Sequence, residues 1–241
     1  MTEQSPLKFN WFEIKSNLNP EETIDLRAGS PRIEYRESVF SPYVEVSAYL
    51  ADTGNTVPDK DDPDEFVGLL DGEIAEGTEE IVFEIEDIKG NKVSLANEDG
   101  VDLRVATVTS AKQSFQAQTY TLTAVSKEAF DNTLVRNRCT MQYSGKISKI
   151  VSDIFKYDLK SPNPIDIDLT MNTYNEWGNK RYPFDMILDL QKLAIPILQT
   201  SDGKQAIGKT AGYLFWQTST GFHFKSLDKL FDTTDKEIKV F

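Results

Sequence analysis

Two of the residue types that carry most protein chemistry are almost missing, since the 241 residues include one cysteine, Cys139, and one histidine, His223. A lone cysteine excludes an internal disulfide and leaves a thiolate metal centre without partners, which fits folding in a reducing compartment. His223 stands between Phe222 and Phe224 on a strand-like alternation, and no GxSxG-type elbow supplies the serine a hydrolase triad needs beside it. Structural packing is the simpler reading of that histidine. Also missing is any run of about 18 apolar residues, and MTEQSPLKFNWF has no basic stretch ahead of an apolar core, so neither a membrane span nor a signal peptide is read. Bases are scarce in one region. Residues 52–104 hold 17 Asp and Glu against 4 Lys and Arg, a net of −13 that equals the formal charge of the whole chain. Attraction to phosphate is thereby excluded as a basis for holding nucleic acid or an anionic membrane.

What is present is β alternation. The segment Ile33 to Ala51, IEYRESVFSPYVEVSAYLA, is broken once at Ser41-Pro42. From there Val44, Val46, Ala48 and Leu50 share one face and Tyr43, Glu45, Ser47 and Tyr49 the other, the pattern of a half-buried strand. A second face that is polar yet aromatic points to contact with something other than water. Further strands are predicted at Val67 to Leu70, Ile81 to Glu86, Val101 to Val105 and Phe115 to Val125, with Gly-containing turns at 89–91 and 98–100; together they predict an antiparallel barrel or sandwich. Residues 1–32 are polar with scattered aromatics and read as an arm or an early strand.

The period changes at Ser126, which is placed to cap a short helix carrying Glu128 in its first turn. Ile147, Ile150, Val151, Ile154 and Phe155 then recur at helical spacing. A second helix is predicted to begin at Pro183, carry Phe184, Ile187, Leu188, Leu190 and Leu193, and stop before Pro196. A hairpin, GYLFWQTSTGFHFKS, and a short helical turn, SLDKLF, complete an α+β second half packed through its aromatics.

Two motifs match known chemistry on paper. Gly203 to Thr210, GKQAIGKT, satisfies the phosphate-loop pattern, but such a loop needs a strand before it and a helix after it, whereas AGYLFWQT is β-compatible. A surface loop entering a hairpin explains it more simply. Asp59 to Glu65, DKDDPDE, clusters carboxylates as calcium sites do, but Pro63 and the missing glycine break the EF-hand pattern, which leaves a solvated acidic loop.

In their order, the segments IEYRESVFSPYVEVSAYLAD, GLLDGEIAEGTEEIVFEI, YTLTAVSKEAFDNTLVRNRCTMQYSGKISKIVSDIF, NKRYPFDMILDLQKLA and GYLFWQTSTGFHFKSLDKLF resemble the baseplate hub proteins of contractile-tailed bacteriophages and related contractile injection systems. The resemblance covers about residues 25 to 235 and rests on the ordered set rather than on one motif. It implies a β-rich α+β chain: an N-terminal arm at 1–24, a tail-tube-like antiparallel β-barrel at 25–130, and a peripheral α+β domain at 131–241 with two amphipathic helices and a hairpin. It also implies a structural virion protein without catalysis, cofactor or metal, assembled in the host cytoplasm. Its partners would be copies of itself in a trimer, the tail tube protein, the central spike protein, and a second hub chain or tape measure protein, with no stable nucleic-acid binding and no membrane. Tyr43, Glu45, Ser47 and Tyr49 become candidates for subunit or lumen contact, and acidic strands facing a lumen would repel passing DNA. Hubs of this family carry two tube-type barrels and this sequence contains one, so the expectation is a piece of a longer hub or a split hub. The competing expectations are a hub subunit of a non-phage injection system and a phosphate-loop protein using 203–210.

Overall fold

The structure, a computed structural model, describes residues 7–15, 17, 23–30, 32–54, 57, 58, 62, 64–69, 77–95, 102–113, 118–199, 205–207 and 212–231. It divides into two compact units, Met1–Glu37 with Tyr43–Phe130, and Ser38–Pro42 with Asp131–Phe241. Strands dominate the first, and the described helices lie almost wholly in the second.

In the first unit the strands are β1 (Leu7–Lys15), β2 (Thr23–Asp25), β3 (Arg32–Arg36), β4 (Glu45–Asp52), β5 (Val57–Pro58), β6 (Phe66–Val67), β7 (Glu80–Asp87), β8 (Lys92–Leu95), β9 (Leu103–Gln113) and β10 (Gln118–Ser126). Eight of them form one sheet in the order β2-β1-β7-β9-β10-β4-β3, with β8 beside β7, and β5 pairs with β6 alone. Register follows the hydrophobic alternation, because a slip of one residue would turn every apolar side chain to water. Thus Tyr120, Leu122 and Ala124 of β10 lie opposite Leu50, Ala48 and Val46 of β4, while Phe12 and Ile14 of β1 lie opposite Phe83 and Ile81 of β7. All ten belong to one buried cluster, and each large one contributes about 1.5–3 kcal/mol by leaving water.

The sheet reaches one core by folding over on itself. Glu80 and Ile81 pair β7 with β9, whereas Phe83 to Glu86 pair it with β8, so β7 changes neighbour along its length. Tyr35 of β3, at the far end of the strand order, stacks on Phe83 with ring centroids 6.1 Å apart. Among the described residues the end strands β2 and β3 do not pair with each other, so the pairings do not themselves close the ring expected of a barrel.

Several local expectations are revised. Residues 7–15, read as part of an arm or an early strand, form the strand β1 between β2 and β7, because Phe12 and Ile14 alternate into the core at 0% exposure. The strand expected at Val67 to Leu70 shrinks to Phe66–Val67. Leu69 instead donates its N–H to Asp52. β9 runs on to Gln113 across eleven residues, beyond the expected end at Val105. The helix α1 (Lys127–Thr133) does begin after Ser126, but the Ser126 hydroxyl is buried without a hydrogen-bond partner and does not cap it. The backbone N–H groups of Ser126 and Lys127 go instead to the carbonyls of Val44 and Asp102.

The second unit continues with β11 (Gln142–Lys146), α2 (Ile147–Asp153), β12 (Ile165–Ile167), β13 (Thr173–Trp177), α3 (Pro183–Leu193), β14 (Ile197–Gln199), β15 (Gln205–Ile207), β16 (Tyr213–Thr218), β17 (Gly221–Ser226) and α4 (Leu227–Leu230). The five residues predicted to line the first amphipathic helix are all buried. Past Asp153 that helix widens into six residues of π-helix, Ile154–Leu159, and ends at Lys160 with φ 53°. α3 starts with Pro183 as predicted, but Met186 takes an inward position while Leu193 is 45% exposed. Across the hairpin, Phe215 and Phe222 stack at 5.9 Å and meet Phe155 of the π segment at 5.8 and 4.8 Å and Phe184 of α3 at 5.5 and 6.0 Å. Ahead of β13, the short strand β12 adds to β17 in parallel.

Candidate functional site

The four residues singled out on the outer face of the opening strand sit side by side but in unlike surroundings. Glu45, Ser47 and Tyr49 lie on β4 and Tyr43 just before it. Tyr49 is exposed, Tyr43 and Glu45 are half-buried, and Ser47 is buried. Their neighbours follow from register. β3 sets Arg32, Glu34 and Arg36 opposite Tyr49, Ser47 and Glu45, while β10 sets Thr121, Thr123 and Val125 opposite the same three. Beyond β10, Thr109 and Thr107 of β9 continue the rows.

This geometry makes the face electrically closed. Arg36 pairs with Glu34 at 2.6 Å and with Glu45 at 3.2 Å, and Arg32 pairs with Glu34. The Arg36 hydrogen bond comes first in holding the Glu34 carboxyl below its ordinary value. Arg32 also lies 5.1 Å from the Tyr49 ring centroid, a cation–π arrangement. Ser47 Oγ donates to Glu45 at 3.2 Å and lies 3.3 Å from Thr123 Oγ1. Two cations and two anions cancel on the β3 side, and the β9 and β10 side shows hydroxyls. Such a face can slide past or pack against another protein through hydrogen bonds without a net field.

Charge lies elsewhere in the same unit. The first unit carries 26 acids against 11 bases, the second 13 against 15. On the outer side of β1 and β7, Lys15 pairs with Glu80 at 2.7 Å. A bulge between Phe9 and Trp11 turns Asn10 so that its amide donates to Glu84 at 2.7 Å and Glu86 at 2.9 Å. Lys92 meets Glu84 at 3.0 Å. No periodicity in the sequence announces this network, because a bulge is a register fault visible only once the partner strand is known.

The other candidates resolve as follows. His223 stacks on Trp216 at 4.9 Å with its Nε2 3.0 Å from Thr218 Oγ1. Cys139 is fully buried, and burial pushes its thiol up to about 12, so it is held as an unreactive thiol. The phosphate-loop match at 203–210 lies outside the described residues except for 205–207, which form β15, and the acidic loop at 59–65 lies largely outside them. Among the described residues no group of three or more His, Cys, Asp or Glu could hold a metal ion, and no helix is long and apolar enough to cross a membrane.

No family model matches the chain, and no curated protein does. Solved structures of similar shape include the 43 kDa tail protein of prophage MuSo2 from Shewanella oneidensis, with a TM-score of 0.48 and 9% identity over 90% of this chain and 54% of that one. Another is the E. coli c3393 protein, a component of the type VI secretion system with structural similarity to the T4 bacteriophage tail proteins gp27 and gp5. Its TM-score is 0.39 at 8% identity, over 84% of this chain and 48% of that one. The chain thus spans about half the length of either.

Proposed function

We propose that this chain is a structural subunit of a phage baseplate hub, joining a tail tube to a central spike and walling the passage between them without catalysis. The observation that carries the reading is the order of parts along the chain. An eight-stranded antiparallel β unit is followed, after α1, by an α+β unit whose helices and hairpin share one aromatic core. That is the order implied by the hub-like segments of the sequence. In this reading the β unit, with β1 included, is the tube-type part and residues 131–241 are the peripheral part. The outer face of β4, with Tyr43, Glu45 and Tyr49 reaching its surface above Ser47, is the subunit or lumen contact.

The partners in this reading are further copies of the chain in a trimer, the tube protein, the spike protein, and a second hub chain or tape measure protein, all within the virion tail. Light scattering of the chain alone and mixed with tube and spike proteins tests it. A trimer, or a complex with either partner, is the expected result; a chain that stays monomeric and joins neither overturns it.

A further inference from the structure

Arg136, Arg138 and Lys180 gather on the second unit without acids of their own. Lys180 donates its backbone N–H to the Cys139 carbonyl at 2.8 Å, and Cys139 donates to the Arg181 carbonyl at 3.0 Å. Residues 136–139 and 178–182 therefore run side by side. The Arg138 guanidinium donates to the Lys180 carbonyl at 3.1 Å and lies 3.4 Å from the Tyr182 ring centroid. Arg136, two positions earlier, is exposed, as is Lys180. Among the described residues none of these three cations takes part in an ion pair. Arg181, next in the chain, differs: Glu176 and Asp189 both pair with it.

The patch is also held in shape. Arg138 is fixed between a ring and a carbonyl, so it has little rotamer freedom left to lose on binding. Lys180 follows Asn179 in a tight turn closed by the Arg181 N–H on the Gly178 carbonyl at 2.9 Å. Both turn residues have positive φ, 49° and 58°, a backbone that lysine seldom adopts. Val135, 82% exposed, adds an apolar edge. Arginine and tyrosine are residue types that carry much of the energy of protein interfaces.

Cations held close together without counter-charges favour an anionic partner. Nucleic acid is one such partner, but the net charge of −13 on the chain opposes its approach. The first unit, with a surplus of 15 acids, has the opposite sign to the patch, and any second copy of the chain brings one. A contact between unlike surfaces of two identical chains is head to tail, and closes into a ring when the rotation allows.

We propose that Arg136, Arg138 and Lys180 dock the acid-rich first unit of a second copy of this chain. The contact rests on the assembly reading and deepens it by naming a surface through which copies meet. Sedimentation of the full chain over a concentration series reads self-association directly. Raising salt from about 50 to about 500 mM should weaken it by about tenfold, because screening shortens the reach of the charges. Arg136→Glu with Lys180→Glu changes only exposed side chains, so it should melt as the wild type does while associating about tenfold or more weakly. Lys146→Glu with Lys156→Glu makes the same change of charge at exposed residues outside the patch and should associate as the wild type does.

A wild type that stays monomeric, a patch variant that associates normally, or equal weakening in both variants would each overturn the proposal. So would a patch that binds a short duplex DNA while self-association is unaffected by its reversal. Complexes with tube or spike proteins, read separately by light scattering, decide the hub reading itself.

Discussion

The hydroxyl of Tyr143 donates to Asp158 Oδ2 at 2.6 Å inside the second unit, where both residues are buried. Asp158 belongs to the π-helical turn and Tyr143 to β11, so one hydrogen bond fastens the helix end to the two-stranded ribbon. Burial raises the Asp158 carboxyl above the ordinary 3.8, against the opposing pull of the Tyr143 hydrogen bond and of Lys160. An acid with a raised folded pKa contributes its stability at low pH and loses it as pH climbs from the unfolded value through the folded one. The Asp158→Asn variant, which cannot ionise, should therefore gain on the wild type as pH rises from about 4 towards neutrality. Thermal melts across that range check it, and a difference independent of pH would contradict it. Tyr143→Phe should cost about 1–3 kcal/mol by leaving the carboxyl without its donor.

Asp168 shows the opposite sign. Its side chain is 4% exposed, and burial works to raise its pKa. The Ser226 N–H at 3.0 Å, Lys229 at 2.9 Å and Lys225 at 3.4 Å outweigh burial and bring it below 3.8. Asp168 thereby ties the segment after β12 to the end of β17 and the first turn of α4. Removing the carboxylate leaves the buried Ser226 N–H without its acceptor, whereas Lys225 keeps Asp166 and Lys229 is 52% exposed. Asp168→Ala should cost about 1–3 kcal/mol at neutral pH. The advantage of the wild type should shrink only as pH falls below about 4, where the wild-type carboxylate itself takes up its proton.

Gly178 is fixed by close approach. A Cβ there would lie 2.4 Å from the Cys139 carbonyl oxygen and 2.5 Å from its carbon, both main chain. Backbone cannot yield as a flexible side chain would. Gly178 also follows β13 directly and donates its N–H to Met141, so the ribbon could not move aside without losing that bond. Gly178→Ala is expected to destabilise the second unit by about 3 kcal/mol. Gly54→Ala offers a contrast, since a Cβ there meets nothing within 4 Å and only its φ of 84° is strained. Denaturant titration of both variants reads the difference, and equal costs would argue against the clash.

Much of the fold was legible because its strands and helices alternate regularly. Val44, Val46, Ala48 and Leu50 went inward as their spacing required, as did the stripe from Ile147 of α2 to Phe155 of the π-helical segment. What was hidden depends on distant partners. β1 looked like either an arm or a strand because its polar outer residues mask Phe12 and Ile14 until β7 covers them. Ser126 looked like a cap, yet it ends β10 with its hydroxyl buried and unpartnered there. The candidate face was legible as an alternation but not in its electrostatics, which depend on Arg32 and Arg36 reaching across from β3. Asp52 and Tyr120 line one recess although they stand 68 positions apart in the sequence, and no local pattern reports such a meeting.

The closed electrostatics of the β4 face give the assembly reading its sharpest test. Tyr49 is 40% exposed and held mainly by its cation–π contact with Arg32, so replacing it should change stability by no more than about 1 kcal/mol. Tyr49→Arg sets a third guanidinium beside Arg32 and Arg36 and removes the cancellation of charge. If the face packs against a neighbouring subunit, the unpaired cation must be desolvated there, and association should weaken by about tenfold or more. Thr220→Arg, on the exposed β16–β17 turn of the second unit, adds the same charge at a residue that is not part of that face and should leave association unchanged. Sedimentation of each variant with tube and spike proteins compares them. Tyr49→Arg assembling as well as wild type would remove subunit contact from the β4 face and leave only its role as a wall.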